Sequence, residues 1–430
     1  MATRGGDLRN YAIVTGAYWA DTIADGASRM LVLFYFYERG YSPFKVAMLF
    51  LFYEVFGVLT NLFGGFLAAR FGLRATLLGG LCTQLVALGS LALVPASWLV
   101  VPYVMAAQAL SGVAKDLTKM SSKSAVKLVV PHGQDGALYR WVAVLTGSKN
   151  ALKGVGFFLG ALLLTVVGFR PALALLAALV FLALVMVLLL MRGELGRPNA
   201  QARFRHMFSN DPAVNTLAGA RIFLFASRDV WFVVGLPVFF RTEHGWSFWL
   251  AGGFLAVWTI GYGVVQAFAP RLVRRRAAER GADPDGRSAT LLAFTLAAWP
   301  AAIAVAIAVG ADPVVSVVVG LLIFGVVFAM NSAVHSYLIL AYAEGDKVAM
   351  NVGFYYMANA GGRLAGTVLS GALYQWKGLG ACLWASAAFV LAAGALSRRL
   401  PAGVHARREA VSGEMAYPGT ASSSRRGPAA

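Results

Sequence analysis

Two lysines stand where a membrane-crossing helix tolerates charge least. The stretch 139–168, YRWVAVLTGSKNALKGVGFFLGALLLTVVG, is long and apolar enough to span a bilayer, yet Lys149, Asn150 and Lys153 fall near its middle. Spaced by four, the two ammonium groups share one helical face, a turn apart. Each costs about 2.5–3.5 kcal/mol at a helix centre, so the stripe must face water, a partner group or an anion rather than lipid. Gly156 and Gly160 form a GxxxG pair that lets another helix approach closely. The stretch reads as the wall of an internal cavity that attracts negative charge.

Other apolar stretches carry charges of the same kind. Asp21, Asp25 and Arg29 follow at four-residue steps on one face. They make either a self-neutralising Asp25–Arg29 pair or part of a proton- or substrate-handling site. Glu54 lies in the next apolar run. Arg221 and Arg228 share a face, whereas Asp229, roughly 100° round the helix, is expected to face a neighbouring helix. Arg363 sits among small residues in ANAGGRLAGTVLSGAL. His335 is either hydrogen-bonded packing or a proton switch.

Taken together, Arg29, Lys149, Lys153, Arg221, Arg228 and Arg363 stand against Asp21, Asp25, Glu54 and Asp229, six basic to four acidic. Unbalanced cations in a low dielectric are costly unless a counter-charge arrives, and an organic anion of charge about two or more is the simplest one. Arginine forks suit phosphate, arsenate or carboxylate oxygens, and lysines add point charges. Lys149, Lys153, Arg228 and Arg363 are expected to clamp the anion, with Arg29, Arg221, Asn150 and Asn359 in support. Asp21, Asp25, Glu54 and His335 are the candidates for carrying a proton.

The elements that position these residues follow from composition. Of 430 residues 59% are hydrophobic and 13% charged, against roughly 45–50% and about 25% in soluble domains. The apolar runs are continuous rather than alternating, so the chain is an all-α membrane protein and not a β-barrel. Cut at turns and charged clusters, it gives about twelve spans of bilayer length, near 11–37, 44–69, 75–94, 98–117, 137–168, 171–191, 213–240, 247–270, 288–310, 313–343, 348–375 and 379–398. The net charge of +18 reflects loop asymmetry rather than nucleic-acid binding. Basic residues crowd the loops on the side of both termini, which the positive-inside rule makes cytoplasmic, as in the inner membrane of a bacterium. The lysines at 115, 119, 123 and 127 form a helical stripe on that face, which reads either as a contact with anionic lipid or as a funnel for an anion.

The chain divides into a six-helix half at 1–191, a polar central loop at 192–212, a second six-helix half at 213–398 and a disordered cytoplasmic tail at 399–430. The second half echoes the first: FFRTEHGWS at 239–247 aligns with FYERGYS at 36–42, and Asn150, Ala151 and Lys153 with Asn359, Ala360 and Arg363. Paired halves with a midplane site are a transporter architecture. No G-x-x-x-x-G-K-[ST] motif occurs, so a gradient rather than ATP would drive transport. No His/Cys/Asp grouping has metal-ligand spacing, so neither an enzyme nor a bound cofactor or metal is expected.

The segment GGFLAARFGLR at 64–74 resembles the loop signature of the major facilitator superfamily, with Gly65, Arg70, Gly72 and Arg74 matching and Ala69 in place of the acidic residue. Longer runs resemble a narrower group. NYAIVTGAYWADTIADGASRMLVLFYF at 10–36, SPFKVAMLFLFYEVFGVLTNLFGG at 42–65 and MAAQALSGVAKDLTKMSSKSAVKL at 105–128 look like organoarsenical efflux permeases. LYRWVAVLTGSKNALKGVGFFLG at 138–160 and RDVWFVVGLPVF at 228–239 do so as well. That resemblance implies a major facilitator fold, export of 1-arseno-3-phosphoglycerate, and a functional partner, the glyceraldehyde-3-phosphate dehydrogenase that makes this ester. It carries over no residue roles, so the site assignments rest on charge and position.

Overall fold

The structure, a computed structural model, describes residues 2–129, 135–191, 211–278, 285–342 and 348–401. The polar central loop and the tail therefore lie almost wholly outside the described residues. Among those described, the chain is helical: α1 Ala2–Glu38, α2 Pro43–Leu49, α3 Leu51–Phe71, α4 Leu73–Leu93, α5 Val101–Val129, α6 Asp135–Val166 and α7 Phe169–Leu190. The C-terminal helices are α8 Pro212–Phe232, α9 Gly235–Thr242, α10 Phe248–Ala278, α11 Gly286–Ala308, α12 Pro313–Tyr342 and α13 Val348–Ser397. α13 breaks at Lys377 and Gly378, whose backbone angles are not helical.

Nine stretches among the described residues are long and apolar enough to cross a membrane, fewer than the twelve expected. The difference has chemical causes. α1 holds Asp21, Asp25 and Arg29, and α5 holds Gln108, Lys115, Asp116 and Lys119, so neither contains a sufficiently apolar window; the last two expected spans merge into one stretch, Phe354–Ser397. The turn between α3 and α4 falls on Gly72, at φ 82°, a left-handed angle that glycine takes without steric cost. This is the part of the 64–74 signature whose backbone requirement is visible.

α2–α3 and α8–α9 each continue as one span, and the turns after α1 and α9 gather with the break in α13 at one end of the bundle, the loop end, opposite the terminus end. At the loop end the N-terminal and C-terminal helices are tied together. Arg241 donates to Glu38 at 2.9 and 3.1 Å, the Phe44 backbone N–H donates to Gln375 Oε1 at 3.2 Å, and Phe34 packs on Phe248. Four further aromatic groups, Trp231, Trp258, Phe324 and Phe328, interlock edge-on or stacked among the C-terminal helices.

Close helix contacts follow the small residues. A Cβ on Gly160 would lie 2.2 Å from the Ala27 carbonyl oxygen, and one on Gly156 would lie 2.6 Å from that of Ile23. The GxxxG pair thus docks α6 on α1. The same arrangement recurs between α13 and α8, where a Cβ on Gly362 would meet the Ile222 oxygen at 2.2 Å and one on Gly366 the Ala226 oxygen at 2.9 Å. Ile23 and Ala27 therefore correspond to Ile222 and Ala226, and Arg29 to Arg228, each two residues further on. The same alignment sets Lys153 opposite Asn359. The sequence echo pairing Lys153 with Arg363 is thus one helical turn out of register, because a short polar match is a weaker guide than backbone contact.

Replacing Gly160 with Leu should destabilise the folded protein by about 1–3 kcal/mol, the usual cost of overpacking. Gly79→Leu should change little, since a Cβ there meets nothing within 4 Å. Thermal unfolding in detergent, followed by the folded fraction on size exclusion, measures both.

Candidate functional site

A cavity of about 180 Å³ lies between the N-terminal and C-terminal helices. All eight side chains expected to hold an anion line it: Arg29, Lys149, Asn150, Lys153, Arg221, Arg228, Asn359 and Arg363. They converge because α1, α6, α8 and α13 each turn their one charged face inward. Among the described residues the lining holds eight basic side chains against four acidic ones, Asp25, Glu54, Asp116 and Asp229.

Most of the carboxylates serve two cations. Glu54 Oε1 accepts from Arg29 Nη1 at 3.2 Å and from Arg363 Nη2 at 2.7 Å. The second bond joins α3 to α13 across the cavity. Asp229 binds Arg228, whose Nε donates to Oδ1 at 2.6 Å, and lies 3.4 Å from Arg363 Nε. Asp116 pairs with Lys115 and Lys119. Asp25 Oδ1 accepts from the Tyr53 hydroxyl at 2.7 Å, while its Oδ2 lies 4.0 Å from Lys153 Nζ. Sharing leaves the wall positive even with these pairs formed.

One expectation changes here. Arg29 does not pair with Asp25. Its guanidinium lies over the Phe50 and Tyr53 rings, at 5.2 and 4.6 Å from their centroids, and reaches Glu54 instead. Asp229 faces the neighbouring α13, as expected, with Oδ2 3.4 Å from Arg363 Nε, and it lines the cavity there beside Arg228.

The proton candidates separate by position. Asp25 and Glu54 line the cavity, whereas Asp21 and His335 do not. Asp21 is fully buried behind it; its Oδ2 accepts from Thr118 at 2.6 Å and its Oδ1 has no hydrogen-bond partner. His335 is fully buried on α12, with neither ring nitrogen hydrogen-bonded. Nearby, Arg221 donates to the Ser332 carbonyl at 3.2 Å and lies over Phe225 and Tyr355.

The lysine stripe on α5 also differs from its lipid-facing reading. Lys115 and Lys119 turn inward and line the cavity, while the side chains of Lys123 and Lys127 lie outside the described residues. Sequence reasoning passed over Asp116, Asn61 and the ring partners Tyr53 and Tyr356. The available signal was Asp116 itself, an acid inside a basic stripe, which three residues before Lys119 can meet it on one helical face. Apolar groups complete the wall, with Phe157, Phe225, Phe232 and Trp258 beside the charges and Gln266 accepting from Asn150 at 2.9 Å.

Membrane-spanning helices packed around a charged cavity, with matching helix pairs on its two sides, define a multi-pass membrane protein of the transporter type. The major facilitator superfamily profile matches residues 14–339, and the chain belongs to that superfamily. A search among curated proteins found no match.

Proposed function

We propose that this chain is a secondary transporter that exports an organic anion carrying two or more charges. The observation behind this reading is the cavity wall, with eight basic side chains facing four carboxylates. A neutral drug or sugar would leave those cations uncompensated, whereas an anion supplies what the wall lacks. Lys149, Lys153, Arg228 and Arg363 would grip it, with Arg29, Arg221, Asn150 and Asn359 completing the shell. The tied loop end suits a state in which the anion enters from the terminus side. We take that side as the cytoplasm, the membrane as a bacterial inner membrane, and the fold as twelve helices in halves 1–191 and 213–398.

Within this class the substrate we favour is 1-arseno-3-phosphoglycerate, with export conferring arsenate resistance. The long runs resembling organoarsenical efflux permeases support it, and a glyceraldehyde-3-phosphate dehydrogenase would supply the ester. Everted membrane vesicles containing the protein, with that enzyme, glyceraldehyde 3-phosphate, NAD+ and arsenate outside, should accumulate arsenic above protein-free controls. No accumulation under any imposed pH or voltage gradient would contradict the arsenical. Uptake of 3-phosphoglycerate instead would favour another organophosphate or organic anion, handled by exchange.

For coupling, the buried Asp21 is the best placed carboxyl, because among the described residues it has no ion pair and Glu54 already serves two arginines. Charged groups around it are Asp25, Lys115 and Asp116. Asp21→Asn should abolish accumulation driven by a pH gradient yet preserve exchange of labelled for unlabelled anion. Loss of both activities, or of neither, would remove Asp21 from that role.

A further inference from the structure

Lys115, Asp116 and Lys119 form a cluster that none of the expected site residues includes. Lys115 and Asp116 are buried, as is Asn61 on α3, and Lys119 is half-buried. Lys119 donates to both Asp116 Oδ1 and Asn61 Oδ1, and Asn61 donates to Asp116 Oδ2 at 3.0 Å. Lys115 lies 3.7 Å from Asp116 and 4.1 Å above the Tyr53 ring centroid, and Lys119 faces the Tyr356 ring at 5.7 Å. Among the described residues, two ammonium groups share this one carboxylate. Gly57 opens the space beside them, since a Cβ there would stand 3.3 Å from Asp116 Oδ2 and 3.7 Å from Lys115 Nζ.

The cluster is set apart from the Arg29–Glu54–Arg363 centre by a distance that two helices report independently. Asn61 is seven residues beyond Glu54 on α3, and Tyr356 is seven before Arg363 on α13. At 1.5 Å rise per residue each interval is about 10 Å, and in both cases the displacement runs toward the terminus end. Arg221 stands seven residues before Arg228 on α8, repeating the interval on the facing wall. The positive lining is therefore layered, with a deep level around Arg29, Arg228 and Arg363 and an outer level around Lys119 and Arg221.

We infer that Lys115 and Lys119, steered by Asp116 and Asn61, make a second anion subsite at the outer level. It takes a phosphate, arsenate or carboxylate at one end of a ligand whose other anionic end reaches the deep level. This rests on the cavity's being an organic-anion site. Lysine suits the outer position because a flexible point charge can turn from Asp116 to an arriving oxygen without the fixed geometry that a guanidinium imposes.

The test compares two probes with a common three-carbon frame, 3-phosphoglycerate with two anionic ends and glycerol 3-phosphate with one. Binding to the purified full chain in detergent is measured by calorimetry. Wild type should prefer 3-phosphoglycerate by about tenfold, the order expected for one charge-assisted contact. Lys119→Met should remove that preference while changing the affinity for glycerol 3-phosphate less than threefold. Lys119→Arg should restore part of it, and Lys115→Met provides a second variant should Lys119→Met fold poorly. Preference retained in both methionine variants, or both probes weakened equally, would overturn the subsite and leave the anion cavity standing. No binding of either probe to wild type would overturn the cavity's reading, and the subsite with it.

Discussion

Arg363→Met should lower anion transport about 100-fold or more while leaving membrane insertion intact. The guanidinium donates to Glu54 at 2.7 Å and lies 3.4 Å from Asp229, so one side chain ties α13 to α3 and to α8. Truncating one member of a buried hydrogen-bonded charge pair costs about 2–5 kcal/mol, and here two carboxylates would lose a partner at once. Arg363→Lys should retain an intermediate activity, because it keeps the charge and loses the planar fork that serves two acids. Initial rates of anion uptake into everted vesicles, normalised to inserted protein, measure both variants. Wild-type rates for Arg363→Met would remove this residue from the site.

The second large effect should come from the pair that marks α6. Lys153 lies 4.0 Å from Asp25 and faces the Phe157 ring at 5.6 Å, and Lys149 lines the cavity one turn nearer the terminus end. Lys153→Met should reduce transport about 100-fold and Lys149→Met about tenfold, since removing a charged hydrogen-bonding partner of a ligand costs about 1.5–3 kcal/mol. The two roles of Lys153 can be separated. If it only balanced Asp25, the double variant Lys153→Met with Asp25→Asn would recover transport, because both charges would go together. If it contacts the anion, the double variant should recover thermal stability but not transport.

Much of the cavity could be read from the chain, and for one reason. A charged residue in an apolar run is costly unless it turns away from lipid, so Lys149, Lys153, Arg228 and Arg363 were bound to point inward. Which carboxylate each one meets depends on distances between helices, which periodicity does not encode. Arg29 therefore found Glu54 on α3 rather than the nearer-in-sequence Asp25. Lys115 and Lys119 were legible as a stripe but not as part of the site, because a basic stripe near a membrane face has an ordinary explanation in lipid contact. Their inward position depends on Asn61 and Tyr53, contributed by another helix. The glycine pairs were legible as close-packing sites, whereas the correspondence of Arg29 with Arg228 needed the contacts those glycines make.

Calorimetric titration of 3-phosphoglycerate into the purified wild-type protein, with glycerol as the uncharged comparison, tests the role of the positive wall most directly. The account predicts saturable one-to-one binding of the anion that weakens as salt is raised, and no binding of glycerol. Equal binding of the two, or none of the anion at low salt, would contradict it.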